Sequence, residues 1–340
     1  HGVAWHYGDP LVEQRRLADG AGWVDLSHRA VLTVTGPDRL SWLHSITTNA
    51  MDQLAPGQSL LNLVLSPNGH VEHELHVVDD GSTVWITTEA NRVGDLLDYL
   101  NRMRFMLRVE ITDVTKDFAV FGEPIADMHP EYPTFVWPQE FSSENPSDPA
   151  TAKYVPRRPS VFVAREVVVP RSEIEVFTGD RPAIGSWAWE AHRIAAGVPR
   201  VGLETDHRTI PHEVGWVASA VHLNKGCYRG QETVARVHNL GRPPRRLVLL
   251  QRGPQRLVAG PALAQLQRVD DLRRFDQFAD GDAVAGRQSG GIGLQVDGPA
   301  VARAEDPDDD VSREIAALEG ALGDARGHRV AAHRDDAAAV

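Results

Sequence analysis

The chain's only cysteine stands in Lys225-Gly226-Cys227-Tyr228-Arg229-Gly230-Gln231-Glu232, two residues after a lysine. In an extended segment the period of two sets Lys225 and Cys227 on one face, where an ammonium favours thiolate over thiol and makes the sulfur reactive. Gly226 and Gly230 remove side chains on either side, so a ligand or another backbone can come close, or the chain can turn. The plain alternative is a buried, inert cysteine in a turn. Tyr228, Gln231, Glu232 and Arg236 are the polar and aromatic residues around the sulfur. They suit the lining of a ligand channel, while Glu232 and Arg236 equally suit a structural ion pair. His207, His212, His222 and His238 flank the motif and raise a cysteine–histidine nucleophilic pair. That chemistry needs an imidazole within reach of the sulfur and an orienting third group, and the spacing does not demand it.

His70, His73 and His76 are a second candidate constellation. On a strand His70 and His76 share a face with Glu72 and Glu74, while His73 points the other way. Three-histidine ligation then fails to converge, so a polar or channel-lining face is the better reading and no metal is assigned.

The elements that must position these residues follow from pattern. Val31–Thr35 alternates as a strand, and Gly36-Pro37-Asp38 opens a segment with Leu40, Leu43, His44 and Thr47 at helical spacing. Leu60–Leu65 and Val71–Val78 predict two strands around the turn Ser66-Pro67-Asn68-Gly69, and Thr83–Thr88 a third. Residues 91–107 predict an amphipathic helix that covers a sheet, followed by a strand over Val109–Asp113. Residues 138–160 are Pro-rich and polar, a loop or linker between two halves. Beyond it, Val161–Val169 and Glu173–Phe177 predict strands and Ala183–Ala196 a helix. The fold class is α+β, with one unit over 20–137 and a second over 161–246.

The octapeptide resembles the signature Lys-Gly-Cys-Tyr-x-Gly-Gln-Glu of the YgfZ-type folate-binding proteins, which are relatives of the glycine-cleavage T-protein that support iron–sulfur enzymes. Trp23-Val-Asp-Leu-Ser27, Val34-Thr-Gly36-Pro-Asp-Arg-Leu40, Thr48-Asn49, Ser66–Gly69 and Arg193-Ile-Ala-Ala-Gly197 up to Gly202 resemble the same superfamily in the same order. The resemblance covers roughly residues 20–250. It implies two similar α/β folate-binding subdomains around a central channel, followed by a small β-barrel. It also implies tetrahydrofolate near Cys227, with Tyr228, Gln231, Glu232, Arg236, Glu74 and Arg193 as binding residues.

Two departures bear on the reaction. T-proteins carry paired aspartates where His73 and Glu74 stand here, and a pterin-holding glutamate where Ala195 stands. Loss of the acidic pair removes acid/base help on the order of 10²–10⁴-fold. The expected function is therefore tetrahydrofolate binding in the assembly or repair of iron–sulfur clusters, with Cys227 and Lys225 at the working centre. The partners are folate and iron–sulfur client enzymes or cluster-assembly proteins. A folate-dependent aminomethyltransferase or other one-carbon transferase is the alternative, and a cysteine hydrolase a third.

Composition bounds these readings. The 340 residues with 42% hydrophobic content supply real cores, and a net charge of −12 argues against nucleic acid or an acidic membrane held by bulk electrostatics. One cysteine fits a reducing compartment, and a cytoplasmic location is expected. Past Gln251 there is no further Lys, Trp, Tyr, Asn, Thr, Met or Cys. Residues 247–340 thus lack the expected barrel pattern, and a change of reading frame near residue 251 explains the break better than a disordered appendage.

Overall fold

Alternation with a period of two and amphipathic stretches of period 3.6 generate two five-stranded sheets with helices on them. The computed structural model describes residues 2–124, 131–137, 164–241, 243–250 and 265–269. In chain order the elements are α1 (Pro10–Ala18), β1 (Trp23–Asp25), β2 (Arg29–Thr35), α2 (Arg39–Ile46), β3 (Ser59–Leu65), β4 (Val71–Asp79), β5 (Thr83–Glu89), α3 (Val93–Met103), β6 (Glu110–Asp113), β7 (Phe118–Pro124) and β8 (Thr134–Val136). They continue with β9 (Ala164–Pro170), α4 (Ile174–Thr178), β10 (Ala183–Ile184), α5 (Ser186–Ala195), α6 (Val217–Ala220), α7 (Gln231–Leu240), β11 (Arg246–Leu250) and β12 (Gln265–Val269). The α+β class read from the sequence is the class observed.

The first sheet is antiparallel with order β3-β4-β5-β2-β6. The second has order β10-β1-β7-β9-β8, with β1 parallel to β10 and antiparallel to β7. It draws β1 and β7 from before residue 125 and β9 and β10 from after residue 163, so its strands come from both ends of the described chain.

Burial explains the layers. Leu32, Val34, Leu75, Val77 and Ile86 of the first sheet pack with Trp42 and Leu43 of α2 and Leu96 and Leu100 of α3. Each such fully buried side chain contributes about 1.5–3 kcal/mol. The opposite face of β3, through Leu61, Leu63 and Leu65, shares a core with Val24, Val120 and Val168 of the second sheet and Trp189 of α5. Gly122 makes room for that tryptophan, since a Cβ there would lie 2.6–2.8 Å from three carbons of its ring. The outer face of the second sheet, Phe121, Val167 and Val169, is covered by Phe177 of α4.

Three elements differ from the sequence reading. Glu173–Phe177 is not a strand: Ile174 and Phe177, three apart, both reach the sheet, while the alternating Val176 is exposed, so helical spacing wins. The helix expected to residue 107 ends at Met103, whose carbonyl accepts from Trp42 Nε1 at 3.0 Å, and Phe105 then turns with φ 47°. Ala183 and Ile184 belong to a short strand paired with Trp23 and Val24, and the helix begins only at Ser186.

β11 and β12 form an antiparallel ribbon. The linker at 138–160, and residues from 270 onward on which much of the reading-frame expectation falls, lie outside the described residues. No helix among the described residues is long and apolar enough to cross a membrane.

Candidate functional site

Residues 221–230 are turns rather than a strand, so the face-sharing argument for Lys225 and Cys227 does not apply. The segment is held against three pieces of the first sheet and its helices. Lys225 Nζ donates to the carbonyls of His44, Thr47 (2.7 Å) and Asn49 (3.0 Å), and it lies 5.2 Å from the centre of the Tyr228 ring. Its hydrogens go to carbonyls and not to the sulfur. Burial brings this ammonium down to about 8, against a smaller opposing pull from Asp52.

Just beyond Cys227, Arg229 makes a fork with Glu72 at 3.0 and 3.3 Å. Gly230, at φ 82°, packs on the Ser66–Gly69 turn. A Cβ there would lie 2.6 Å from the Ser66 carbonyl oxygen and 2.9 Å from Gly69 Cα, so only glycine permits the approach. The Thr48-Asn49 motif joins the same region. Thr48 Oγ1 donates to the Ala220 carbonyl at 2.6 Å, and the His222 N–H donates to the Thr48 carbonyl at 3.0 Å. Motifs spread over more than 180 residues thus meet in the segment that carries Cys227, whose thiol is exposed rather than buried.

The other residues expected at the site divide between paired and unpaired side chains. Tyr228 is buried, and burial pushes its hydroxyl up to about 12. Glu232 and Arg236 pair at 2.8 Å across one turn of α7, both well exposed, so the structural ion pair is the arrangement found. Gln231 is half-buried, and its carboxamide makes no hydrogen bond among the described residues. None of the four flanking histidines is hydrogen-bonded to Cys227. His212 is buried with both ring nitrogens unbonded, and burial holds it down at about 4. No cluster of three or more His, Cys, Asp or Glu suited to a metal occurs among the described residues.

Glu74 and Arg193 belong instead to an ionic network between the sheets. Glu74 and His76 project from β4 to that side, while His73 faces away. His76 Nδ1 lies 2.8 Å from Glu166 Oε2, and its Nε2 is 3.3 Å from both Glu74 Oε1 and Arg29 Nη2. Its ring stacks on Phe135 at 4.3 Å. Glu74 Oε2 accepts the Val201 N–H at 2.9 Å. Burial pushes the fully buried Glu166 carboxyl up, but Arg29 and His76 outweigh it and hold it at about 2. Arg193 is spent on Glu190 (2.7 and 3.0 Å), Glu204 (3.0 and 3.1 Å) and the Val198 carbonyl. Arg200 bridges Glu89 and Glu190.

Arg29, His76, Glu89, Glu166 and Arg200 were not singled out as a network in the sequence. The available signal was a charged residue breaking an apolar run, as in Ala164-Arg-Glu-Val-Val-Val169. Which opposite charge each one meets depends on strands distant in sequence.

Residues 8–122 match the model of the family described as the GCVT N-terminal domain. The chain is 28% identical to a putative chloroplastic transferase of Arabidopsis thaliana, over 64% of this chain and 53% of that protein. It is 29% identical to an aminomethyltransferase of Cupriavidus taiwanensis, over 62% of this chain and 63% of that protein. It is 24% identical to a mitochondrial iron–sulfur cluster assembly factor IBA57 homolog of Mycosarcoma maydis, over 72% of this chain and 59% of that protein. The matches thus span between half and two thirds of the relatives' own lengths. The crystal structure of glycine cleavage system aminomethyltransferase T from Bartonella henselae shares the fold, with a TM-score of 0.55 and 16% identity over 73% of this chain and 71% of that one. Residues 8–122 are thus similar to the GCVT N-terminal domain, and the fold is similar to that of the aminomethyltransferase T structure.

Proposed function

We propose that the protein binds tetrahydrofolate and serves the assembly or repair of iron–sulfur clusters in client enzymes, with Cys227 as its working thiol. The observation that carries this reading is the exposed sulfur on a turn where the Thr48-Asn49, Ser66–Gly69 and Lys225–Glu232 motifs meet. An exposed thiol at a point of such convergence suits chemistry with a partner more than packing. The name of the Mycosarcoma maydis relative brings iron–sulfur cluster assembly to this chain as part of the proposal.

The residues present fit a folate only in part. A pteridine offers N–H donors beside a carbonyl, and Ala195 has no carboxylate to accept them. The nearby Glu190 and Glu204 are turned onto Arg193. Glu74, Arg193, Glu232 and Arg236 are engaged with protein partners. Gln231 fits, because a half-buried carboxamide without a hydrogen bond can donate to and accept from an amide-like edge. The Tyr228 ring is buried in the core with Lys225 Nζ over it, so it offers no open face. Gln231 would hold the ligand, and bound tetrahydrofolate would supply nitrogen atoms that carry one-carbon units.

An aminomethyl-transfer reading is favoured by the fold and by the names of several relatives. Against it stands Glu74, whose oxygens face Val201 N–H and His76 instead of a substrate. Turnover of an aminomethylated carrier protein with tetrahydrofolate would reverse the ranking.

The test compares wild type with Cys227→Ala by calorimetry with tetrahydrofolate, and by iron–sulfur enzyme activity in a strain lacking the gene. The variant is expected to keep its folate affinity within about threefold, well under 1 kcal/mol, and to fail in restoring the enzymes. Wild type that binds no tetrahydrofolate, together with full iron–sulfur enzyme activity in the strain lacking the gene, would overturn the proposal.

A further inference from the structure

The Cys227 turn is tied down by two cations rather than by its own backbone. Among the described residues no backbone N–H of 223–230 donates a hydrogen bond; those of His222 and Gln231, on either side, do. Lys225 is the first tie. α2 ends at Ile46, and its cap residue Thr47 is extended (φ −124°, ψ 171°), which leaves carbonyls at this end without helical partners. A cation placed there satisfies acceptors and meets the negative end of the helix dipole. The three hydrogens of the ammonium match the carbonyls of His44, Thr47 and Asn49, so Lys225 caps α2 from 181 residues away.

Arg229 is the second tie. Besides its fork on Glu72, its guanidinium lies 5.3 Å from the centre of the Tyr99 ring, and Tyr99 Oη donates to the Ile46 carbonyl at 2.9 Å. Both ties therefore end where α2 meets α3. Cys227 sits midway, two residues from each.

From this geometry we propose that Lys225 and Arg229 are positioning residues that hold Cys227 over the α2–α3 end, Lys225 governing where the thiol stands rather than its ionisation. The inference rests on the reading of Cys227 as the working thiol. Asp52, His44 and Tyr228 are the titratable groups around the ammonium; Asp52 favours its charge and burial opposes it.

The test measures amide hydrogen exchange of His222 and Gln231, the hydrogen-bonded amides on either side of the turn, and the rate of Cys227 alkylation by iodoacetamide from about pH 6 to about pH 10. Lys225→Met should raise exchange at least about tenfold and leave the midpoint of the alkylation profile within about 0.3 pH units. In wild type, exchange corrected for its intrinsic pH dependence should step up near the Lys225 value of about 8. That step should vanish in Lys225→Met and persist in Glu72→Gln, while Lys225→Arg should restore part of the protection.

An alkylation midpoint raised by about one pH unit or more in Lys225→Met, with exchange unchanged, would make Lys225 a thiolate activator and overturn the proposal. Should Lys225→Met fail to fold, Glu72→Gln decides through Arg229: faster exchange at His222 and Gln231 supports the anchoring and unchanged exchange sinks it. Full cellular function of Cys227→Ala would remove the working-thiol reading while the loop measurements still judged the anchors.

Discussion

Replacing Glu166 by glutamine removes one charge between the two sheets while nearly preserving side-chain shape. Arg29 and His76 hold this buried carboxyl at about 2, down from an ordinary 4.5. At about 1.36 kcal/mol per pH unit, the ionised form carries on the order of 3 kcal/mol of native stability. The sign follows from linkage: the folded value lies below the unfolded one, so this stability is present above about pH 4.5 and lost as pH falls through about 2. Removing one partner of a buried pair costs a similar amount, about 3–5 kcal/mol, because the remaining charge stays out of water.

Glu166→Gln should therefore lower the urea midpoint by about 1 M at neutral pH, for a slope near 3 kcal/mol per M. The gap between wild type and variant should narrow as pH falls toward about 2. Urea titrations at about pH 7, 5 and 3 test both parts. A variant within about 0.5 kcal/mol of wild type at neutral pH, or a gap that does not change with pH, would refute the claim that Arg29 and His76 depend on this carboxylate.

Two further outcomes can be checked on the same material. Gly230→Ala places a Cβ 2.6 Å from the Ser66 carbonyl oxygen at φ 82°, and it should cost at least about 2 kcal/mol, a fall in Tm of about 4–8 °C; a fall under about 2 °C would show that the two turns are not in the contact described. His212, held at about 4 by burial with both ring nitrogens unbonded, takes up a proton on unfolding at mildly acid pH, so it costs stability as pH falls from 6.5 through about 4. His212→Leu should flatten that loss and keep neutral-pH stability equal or higher, and an unchanged pH profile would contradict it.

Much of the fold could be read from local pattern. The β3–β4 hairpin around Ser66–Gly69, the strand of Val31–Thr35 and the amphipathic α3 follow from periodicities that act within a few residues. Two of the three differences fall on short elements, where two spacings compete, and the third is the end of α3. At Ile174–Phe177 a single helical turn and a short alternating strand share the same apolar residues, and the sheet beneath chose between them. Site legibility divides in the same way. The octapeptide marked the place of the thiol, and the Glu232–Arg236 pair was legible from its i,i+4 spacing once a helix was granted.

By itself the sequence determined the α+β character, the single cysteine, and the glycines at 69 and 230 that permit a close approach. Only the tertiary structure decided that Lys225 caps α2 instead of facing the sulfur, that Arg193 is consumed by glutamates, and that Glu74 joins a buried network with His76, Glu166 and Arg29. The physical reason is range. Backbone periodicity is set by neighbours a few residues apart, whereas a buried charge takes whichever opposite charge or carbonyl the packed sheets bring within about 3 Å.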